Sequence, residues 1–247
     1  MRHPFPFSVT GPLGYDAALG LVLLQSDETI EDEMRRLIPD TGVALYHSRV
    51  ESAPEVTTET LGQMAHDLPA AAGRLPRPIH FDVVGYGCTS GTSVIGPERI
   101  AELVNQGCHT RHVTEPLSAL VAACEHLGVS KLAFLSPYVE DVSSTLRDAL
   151  AARGVDSPVF GSFDEAEETR VARIDGPSVI AAAKHLAGAG GVDAVFLSCT
   201  NLRSFGIIDQ IEAETGLPVL SSNLVLGWHM FQLAGARTSG PGRLFAA

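Results

Sequence analysis

Two apolar runs, each ending in a Cys-Thr pair, constrain this chain more than any other feature. The first is Phe81-Asp82-Val83-Val84-Gly85-Tyr86-Gly87-Cys88-Thr89, and the second is Val192-Asp193-Ala194-Val195-Phe196-Leu197-Ser198-Cys199-Thr200. In both, an Asp stands six residues before the Cys. Consecutive apolar residues mark strands covered on both faces, the pattern of a parallel sheet. Ligands of such sheets bind beyond the carboxyl ends of the strands, which is where both cysteines fall. The two cysteines lie a little under half of the 247-residue chain apart. One strand-then-cysteine unit used twice predicts two similar lobes facing each other, with one thiol on either side of the cleft.

The remaining sequence alternates in the same way. Strands are predicted at 18–24, 43–47, 79–86, 110–113, 131–135, 158–160, 194–198 and 218–220. Helical periodicity falls at 29–37, 57–74, 97–105, 116–127, 139–153, 177–186, 204–215 and 223–233. Pro97, Pro116 and Pro177 suit first helical turns. Gly107, Gly128, Gly154 and Gly216 are expected as left-handed C-caps. The alternation predicts an α/β fold with right-handed crossovers. The expected arrangement is two Rossmann-like lobes with parallel four-stranded sheets, related by a pseudo-twofold axis, and an active site in the cleft. The first lobe is expected over 1–115, completed by a C-terminal helix within 222–247, and the second over 116–221. The tail from Arg237 to Gly242 is expected to be a loose end.

Composition narrows the functions. Hydrophobic residues make up 45% and charged residues 19%, enough for a real core. A net charge of −12 argues against nucleic acid or an anionic membrane as partner. The N-terminal stretch reads as lacking a secretory signal, so a cytoplasmic protein with reduced thiols is expected. The four cysteines, Cys88, Cys108, Cys124 and Cys199, show no C-x-x-C spacing. Cys108 and Cys124 read as packing residues. A metal site built on Cys88, Cys199 and a histidine is disfavoured, because no histidine lies near either cysteine in sequence. His229, beside Trp228 in an apolar helix, reads as structural.

Small and hydroxylic residues follow both thiols: Thr89-Ser90-Gly91-Thr92-Ser93 and Thr200-Asn201. As loops, they leave backbone N–H groups to hold a carboxylate. A nearby helix start would lower a thiol pKa toward the reactive thiolate.

The segments Tyr86-Gly87-Cys88-Thr89-Ser90-Gly91-Thr92 and Leu197-Ser198-Cys199-Thr200 resemble the two cysteine motifs of the Asp/Glu racemase superfamily. The branch they resemble most is that of maleate cis-trans isomerase and arylmalonate decarboxylase. The resemblance implies a cofactor-free site with Cys88 and Cys199 as the catalytic pair. Arylmalonate decarboxylase has glycine where this sequence has Cys88, which favours racemase or isomerase over decarboxylase. Ser136-Pro137-Tyr138 resembles the segment whose tyrosine contacts a substrate carboxylate; a lid-packing aromatic is the other reading of Tyr138. Thr89, Ser90 and Thr200 match carboxylate-binding turns.

Asp27 stands where the resemblance implies an asparagine, and Glu168 falls near a second such position. Each is either a helix-start acid or a partner for a substrate cation. Gln25-Ser26-Asp27-Glu28-Thr29-Ile30-Glu31 also resembles a branch associated with ectoine utilisation, whose substrates carry an amidinium or ammonium group. The expected activity is racemisation or isomerisation of a small carboxylate-bearing, amino-acid-like or ectoine-derived compound by two-cysteine proton transfer. Two alternatives stand beside it: cis-trans isomerisation through a covalent Cys88 adduct, and non-catalytic binding of a metabolite between the lobes. The expected partner is this small substrate, with no cofactor, in a homo-oligomer.

Overall fold

The computed structural model describes residues 3–53 and 57–246. Residues 1, 2 and 247, at the ends of the expected lobe ranges, lie outside it. The first half runs β1 (Ala17–Leu24), α1 (Ile30–Arg35), β2 (Val43–Val50), α2 (Thr58–Ala72), β3 (Phe81–Gly87), α3 (Thr89–Ile95), α4 (Pro97–Gly107) and β4 (Thr110–Thr114). The second runs α5 (Pro116–Leu127), β5 (Lys131–Ser136), α6 (Glu140–Ala151), β6 (Asp156–Ser162), α7 (Glu168–Val171), α8 (Gly176–Gly188), β7 (Ala194–Leu197), α9 (Ile208–Thr215) and β8 (Val219–Ser221). Helix α10 (Ser222–Ala234) and a 3-10 turn at Arg243–Phe245 close the chain.

The two sheets are built alike. Each has four parallel strands, in the orders β2-β1-β3-β4 and β6-β5-β7-β8. In each, the chain moves outward from the first strand and then crosses back to its other side. The crevice at that reversal, between β1 and β3 or β5 and β7, is where α/β sheets bind ligands. Leu23 pairs with Gly87, and Leu135 with Leu197. Cys88 and Cys199 therefore emerge just past the ends of equivalent strands. The fully buried Phe81, Tyr86, Phe134 and Phe196 fill the core beneath.

The repeated Asp has a structural task in both halves. Asp82 Oδ2 accepts from the N–H of Ala18 at 2.9 Å, fastening the start of β1. Asp193 Oδ2 accepts from Ser130 N at 3.0 Å and Lys131 N at 2.9 Å, fastening the start of β5. Each carboxylate thus clamps the strand beside its own, opposite the thiol end.

Three expectations are corrected. Residues 89–93 are the first turns of helix α3, not a loop. Their side chains give weak helix propensity, and tertiary packing overrides it. Gly107 lies inside α4 rather than at a left-handed cap. Its role is close approach: a Cβ there would stand 2.3 Å from the Pro69 carbonyl oxygen of α2. The tail is fastened, with Thr238 Oγ1 donating to Leu37 O and Gly242 N donating to Asp209 Oδ1 at 2.8 Å. Gly128, Gly154 and Gly216 do take positive φ at helix ends. Helix α10 packs on β1, β3 and β4 of the first sheet and also on α5 and β8.

Candidate active site

Cys88 is the N-cap of α3, and its Sγ accepts from the Gly91 N–H at 3.2 Å. Gly91 makes this possible, since a Cβ there would lie 2.9 Å from Cys88 Sγ and 2.6 Å from Tyr86 Oη. Thr92 Oγ1 donates to the Cys88 carbonyl at 2.7 Å and fixes the turn.

Cys199 is held differently. Its φ is +125°, a conformation that costs an L side chain strain and that clusters at functional sites. Its Sγ accepts from Asn201 N at 3.3 Å and lies 3.0 Å from Tyr138 Oη. Its own N–H donates to Ser222 Oγ at 3.0 Å, and Ser222 Oγ also accepts from Thr89 Oγ1 at 2.8 Å. The first residue of α10 therefore ties the two cysteine turns together.

A cavity of about 20 Å³ is lined by Cys88, Thr89, Ser90, Tyr138, Glu168, Cys199 and Thr200, with Leu24, Leu61 and Met64 as an apolar wall. Among the described lining residues Glu168 carries the sole carboxyl, and no Lys or Arg is present. Glu168 Oε1 accepts from Tyr138 Oη at 2.5 Å, and Oε2 accepts from Asn201 Nδ2 at 2.9 Å.

Asp27 is placed apart from this wall. Its Oδ1 accepts from Thr29 N and Ile30 N, both at 2.8 Å, as a helix-start acid would. Its other oxygen is buried and faces the Thr200 hydroxyl at the edge of the cavity. All the other residues singled out from sequence, Cys88, Cys199, Thr89, Ser90, Tyr138, Thr200 and Glu168, meet at the cavity.

Burial sets the electrostatics. It pushes the Cys88 thiol up to about 12, against the pull of the Gly91 N–H. It pushes Cys199 well above the ordinary thiol range, and the charge of Glu168 adds to the rise. Cys88 does begin a helix, but desolvation outweighs that field, so the expected lowering is corrected. Desolvation also raises Glu168 and Asp27 above the usual carboxylate range. A resting thiolate is thereby disfavoured on either side.

Sequence reasoning missed Ser222, Glu33 and the side-chain role of Asn201, which it named only as part of a turn. Asn201 Oδ1 accepts from Glu28 N at 2.9 Å, and Arg173 pairs with Glu28 at 2.8 and 3.0 Å, so the turn before α1 is moored to the second half. Buried Glu33 accepts from Ser204 N, Phe205 N and Asn223 Nδ2 at 2.6–2.8 Å. The polar run Ser221-Ser222-Asn223 between two apolar stretches was the available signal for Asn223, and nothing in it singled out Ser222. Cys108 and Cys124 are free thiols away from the cavity, and His229 Nδ1 lies 2.7 Å from Thr114 Oγ1. Among the described residues, no three His, Cys, Asp or Glu side chains gather as metal ligands, and no helix is long and apolar enough to cross a membrane.

Residues 102–245, covering both β7 with its cysteine and α10, match the arylmalonate decarboxylase family. The chain belongs to that family. It is 26% identical over 219 residues to the maleate isomerase of Geobacillus stearothermophilus, covering 83% of this chain and 86% of that protein. It is 28% identical over 132 residues to the arylmalonate decarboxylase of Bordetella bronchiseptica, covering 52% of this chain and 55% of that protein. It superimposes, with a TM-score of 0.83 and 25% identity, on a cysteine-to-serine mutant of the Nocardia farcinica maleate cis-trans isomerase with a covalently bound succinylcysteine intermediate. That match covers 93% of this chain and 98% of the other. The two-sheet α/β fold is thus a family property. The family member described here is an enzyme of the group formed by maleate isomerases and arylmalonate decarboxylases.

Proposed function

We propose that this enzyme is a cofactor-independent cis-trans isomerase of a small unsaturated carboxylate, acting through a covalent adduct on Cys88. The observation that carries this reading is the unequal setting of the two thiols on one cavity. Each Sγ accepts from one backbone N–H, that of Gly91 or of Asn201. Each thiol faces a tyrosine, but Tyr86 beside Cys88 leads on only to Met64 Sδ, whereas Tyr138 beside Cys199 leads on to the Glu168 carboxyl. The first setting suits a nucleophile and the second a group that gives and takes protons. The succinylcysteine in the Nocardia farcinica relative is the kind of adduct the reading requires.

The net first step adds the Cys88 S–H across the substrate double bond. Sγ bonds to one carbon, and a proton reaches the neighbouring carbon by way of Cys199. The resulting single bond turns. Cys199 then takes a proton back from that carbon, the C–S bond breaks with its electron pair returning to Sγ, the proton is returned to Cys88, and the trans isomer leaves. The substrate carboxylate faces the polar wall of Thr89, Ser90 and Thr200.

A second reading, racemisation of an amino-acid-like or ectoine-derived acid, is favoured by Glu168 as the lining carboxyl. A second substrate carboxylate ~4 Å from ionised Glu168 would meet repulsion of about 4 kcal/mol at an effective dielectric near 20. An ammonium or amidinium there would be attracted instead. The thiols would then take a proton from one face of the carbon and deliver one to the other.

The two readings separate in a direct assay. Loss of maleate absorbance, with a Cys199→Ser variant gaining one substrate mass on Cys88, supports isomerisation. Deuterium uptake from heavy water at the α-carbon of an amino acid, without a mass gain, supports racemisation. Full activity in both Cys88→Ser and Cys199→Ser would overturn both. Asp27→Asn is expected to leave the preference between maleate and a zwitterion within about twofold, because Oδ1 serves the helix start.

A further inference from the structure

The line of polar atoms from Cys199 into the protein ends on a buried carboxyl. Cys199 Sγ lies 3.0 Å from Tyr138 Oη, and Tyr138 Oη lies 2.5 Å from Glu168 Oε1. Tyr138 has one proton to donate. When it donates to Glu168, the thiol must donate to the phenol oxygen. When it donates to a Cys199 thiolate, Glu168 must carry a proton and donate in turn. The three groups therefore have two self-consistent arrangements with the same proton count: thiol, phenol and carboxylate, or thiolate, phenol and carboxylic acid.

We propose that Glu168 acts through Tyr138 as the proton store of Cys199, converting the buried thiol to a thiolate without any change in net charge. In the forward step Sγ–H breaks as Oη–H forms, while the original Oη–H breaks as Oε1–H forms. The reverse step restores the thiol. No outside base is needed, so the cavity can stay closed while Cys199 becomes reactive.

The surroundings are arranged for this. Asn201 Nδ2 holds Oε2 at 2.9 Å and leaves Oε1 to Tyr138. The titratable groups facing Glu168 are Tyr138, Cys199, Cys88 from the β3–α3 turn and Asp27 from the turn before α1. None of them is cationic. An anion at Glu168 is therefore stabilised by hydrogen bonds alone, and desolvation raises its proton affinity. That brings the carboxyl toward the thiol it must exchange with. In this relay Glu168 is a positioning residue. The inference rests on Cys199 being a working thiol, as proposed above, but not on the identity of the substrate.

The test uses the intact enzyme and iodoacetamide, with alkylation of Cys199 followed by mass spectrometry against pH. A relay and a plain negative neighbour predict different pH profiles. If Glu168 only repels a thiolate, alkylation of Cys199 rises tenfold per pH unit in wild type and in Glu168→Gln alike, with the variant faster throughout. If it stores the proton, the two profiles have different slopes and cross near the carboxyl range. Wild type should then show a pH-independent plateau between the carboxyl and thiol ranges, whereas Glu168→Gln should rise tenfold per pH unit. Tyr138→Phe, which breaks the line but keeps the carboxyl, should lose the plateau as well. Alkylation of Cys88 in the same digests reports whether the cavity is intact. A wild-type Cys199 rate that rises in parallel with that of Glu168→Gln, or a surviving plateau in Tyr138→Phe, overturns the relay. Neither outcome touches the isomerase reading, which stands or falls on turnover.

Discussion

One methyl group at position 91 would reach the nucleophile. Because a Cβ there would crowd Cys88 Sγ and Tyr86 Oη, Gly91→Ala should abolish turnover while costing about 1–3 kcal/mol of stability, the usual range for overpacking. Activity and thermal midpoint measured together would show the disproportion; retained activity would mean that Sγ can shift freely. The second thiol carries its constraint in the backbone. At ordinary positions glycine is less stable than alanine, but at the +125° φ of Cys199 the order should reverse. Cys199→Gly should exceed Cys199→Ala by about 1 kcal/mol in denaturant unfolding. The reverse order would mean that the turn relaxes once the thiol is gone.

At the scale of elements, the two sheets are fastened by the same device at the end away from the chemistry. Asp82→Ala should cost about 1 kcal/mol, and Asp193→Ala somewhat less because it is more exposed, with thiol reactivity unchanged in both. Altered Cys88 or Cys199 reactivity would show that the strand starts and ends are coupled. These runs were the most legible part of the sequence. Val83-Val84 and Val195-Phe196-Leu197 can be buried on both faces only in a parallel sheet, and the cysteines follow at fixed offsets. Helix α3 was not legible, because Thr, Ser and Gly favour turns unless packing holds them. Glu168, Tyr138 and the thiols could be named singly, but not their mutual hydrogen bonds, which depend on how β6 and α7 bring Glu168 back to the end of β5. Nor could the use of Ser222, which lies far from both cysteines in sequence and is an unremarkable serine until α10 is in place.

Taken whole, the molecule keeps an unusual number of carboxyls out of water. Asp27, Glu33, Glu115 and Glu168 are all buried, and desolvation raises each above its ordinary value. Each binds its proton more tightly folded than unfolded. The folded state therefore takes up protons as pH falls, and this contribution to stability rises until the unfolded carboxylate range is reached. The lowered carboxyls Glu28, Glu165, Asp175, Asp193 and Glu214 lie at the surface and weigh little, whereas His47 and His229, lowered by burial, oppose the trend but are fewer and less deeply buried than the four carboxyls. The thermal midpoint should accordingly be higher near about pH 5.5 than near about pH 8, with a shallower slope in Glu33→Gln. A midpoint that rises with pH in wild type would refute this.

The reliance of both cysteine turns on Ser222 also orders events in time. Domains emerge and fold from the N-terminus during synthesis. A chain grown as far as Ser221 already contains both thiols and both sheets, yet lacks the hydroxyl that receives Thr89 Oγ1 and Cys199 N. Both cysteine turns thus acquire their last shared hydrogen bonds only when the final helix docks.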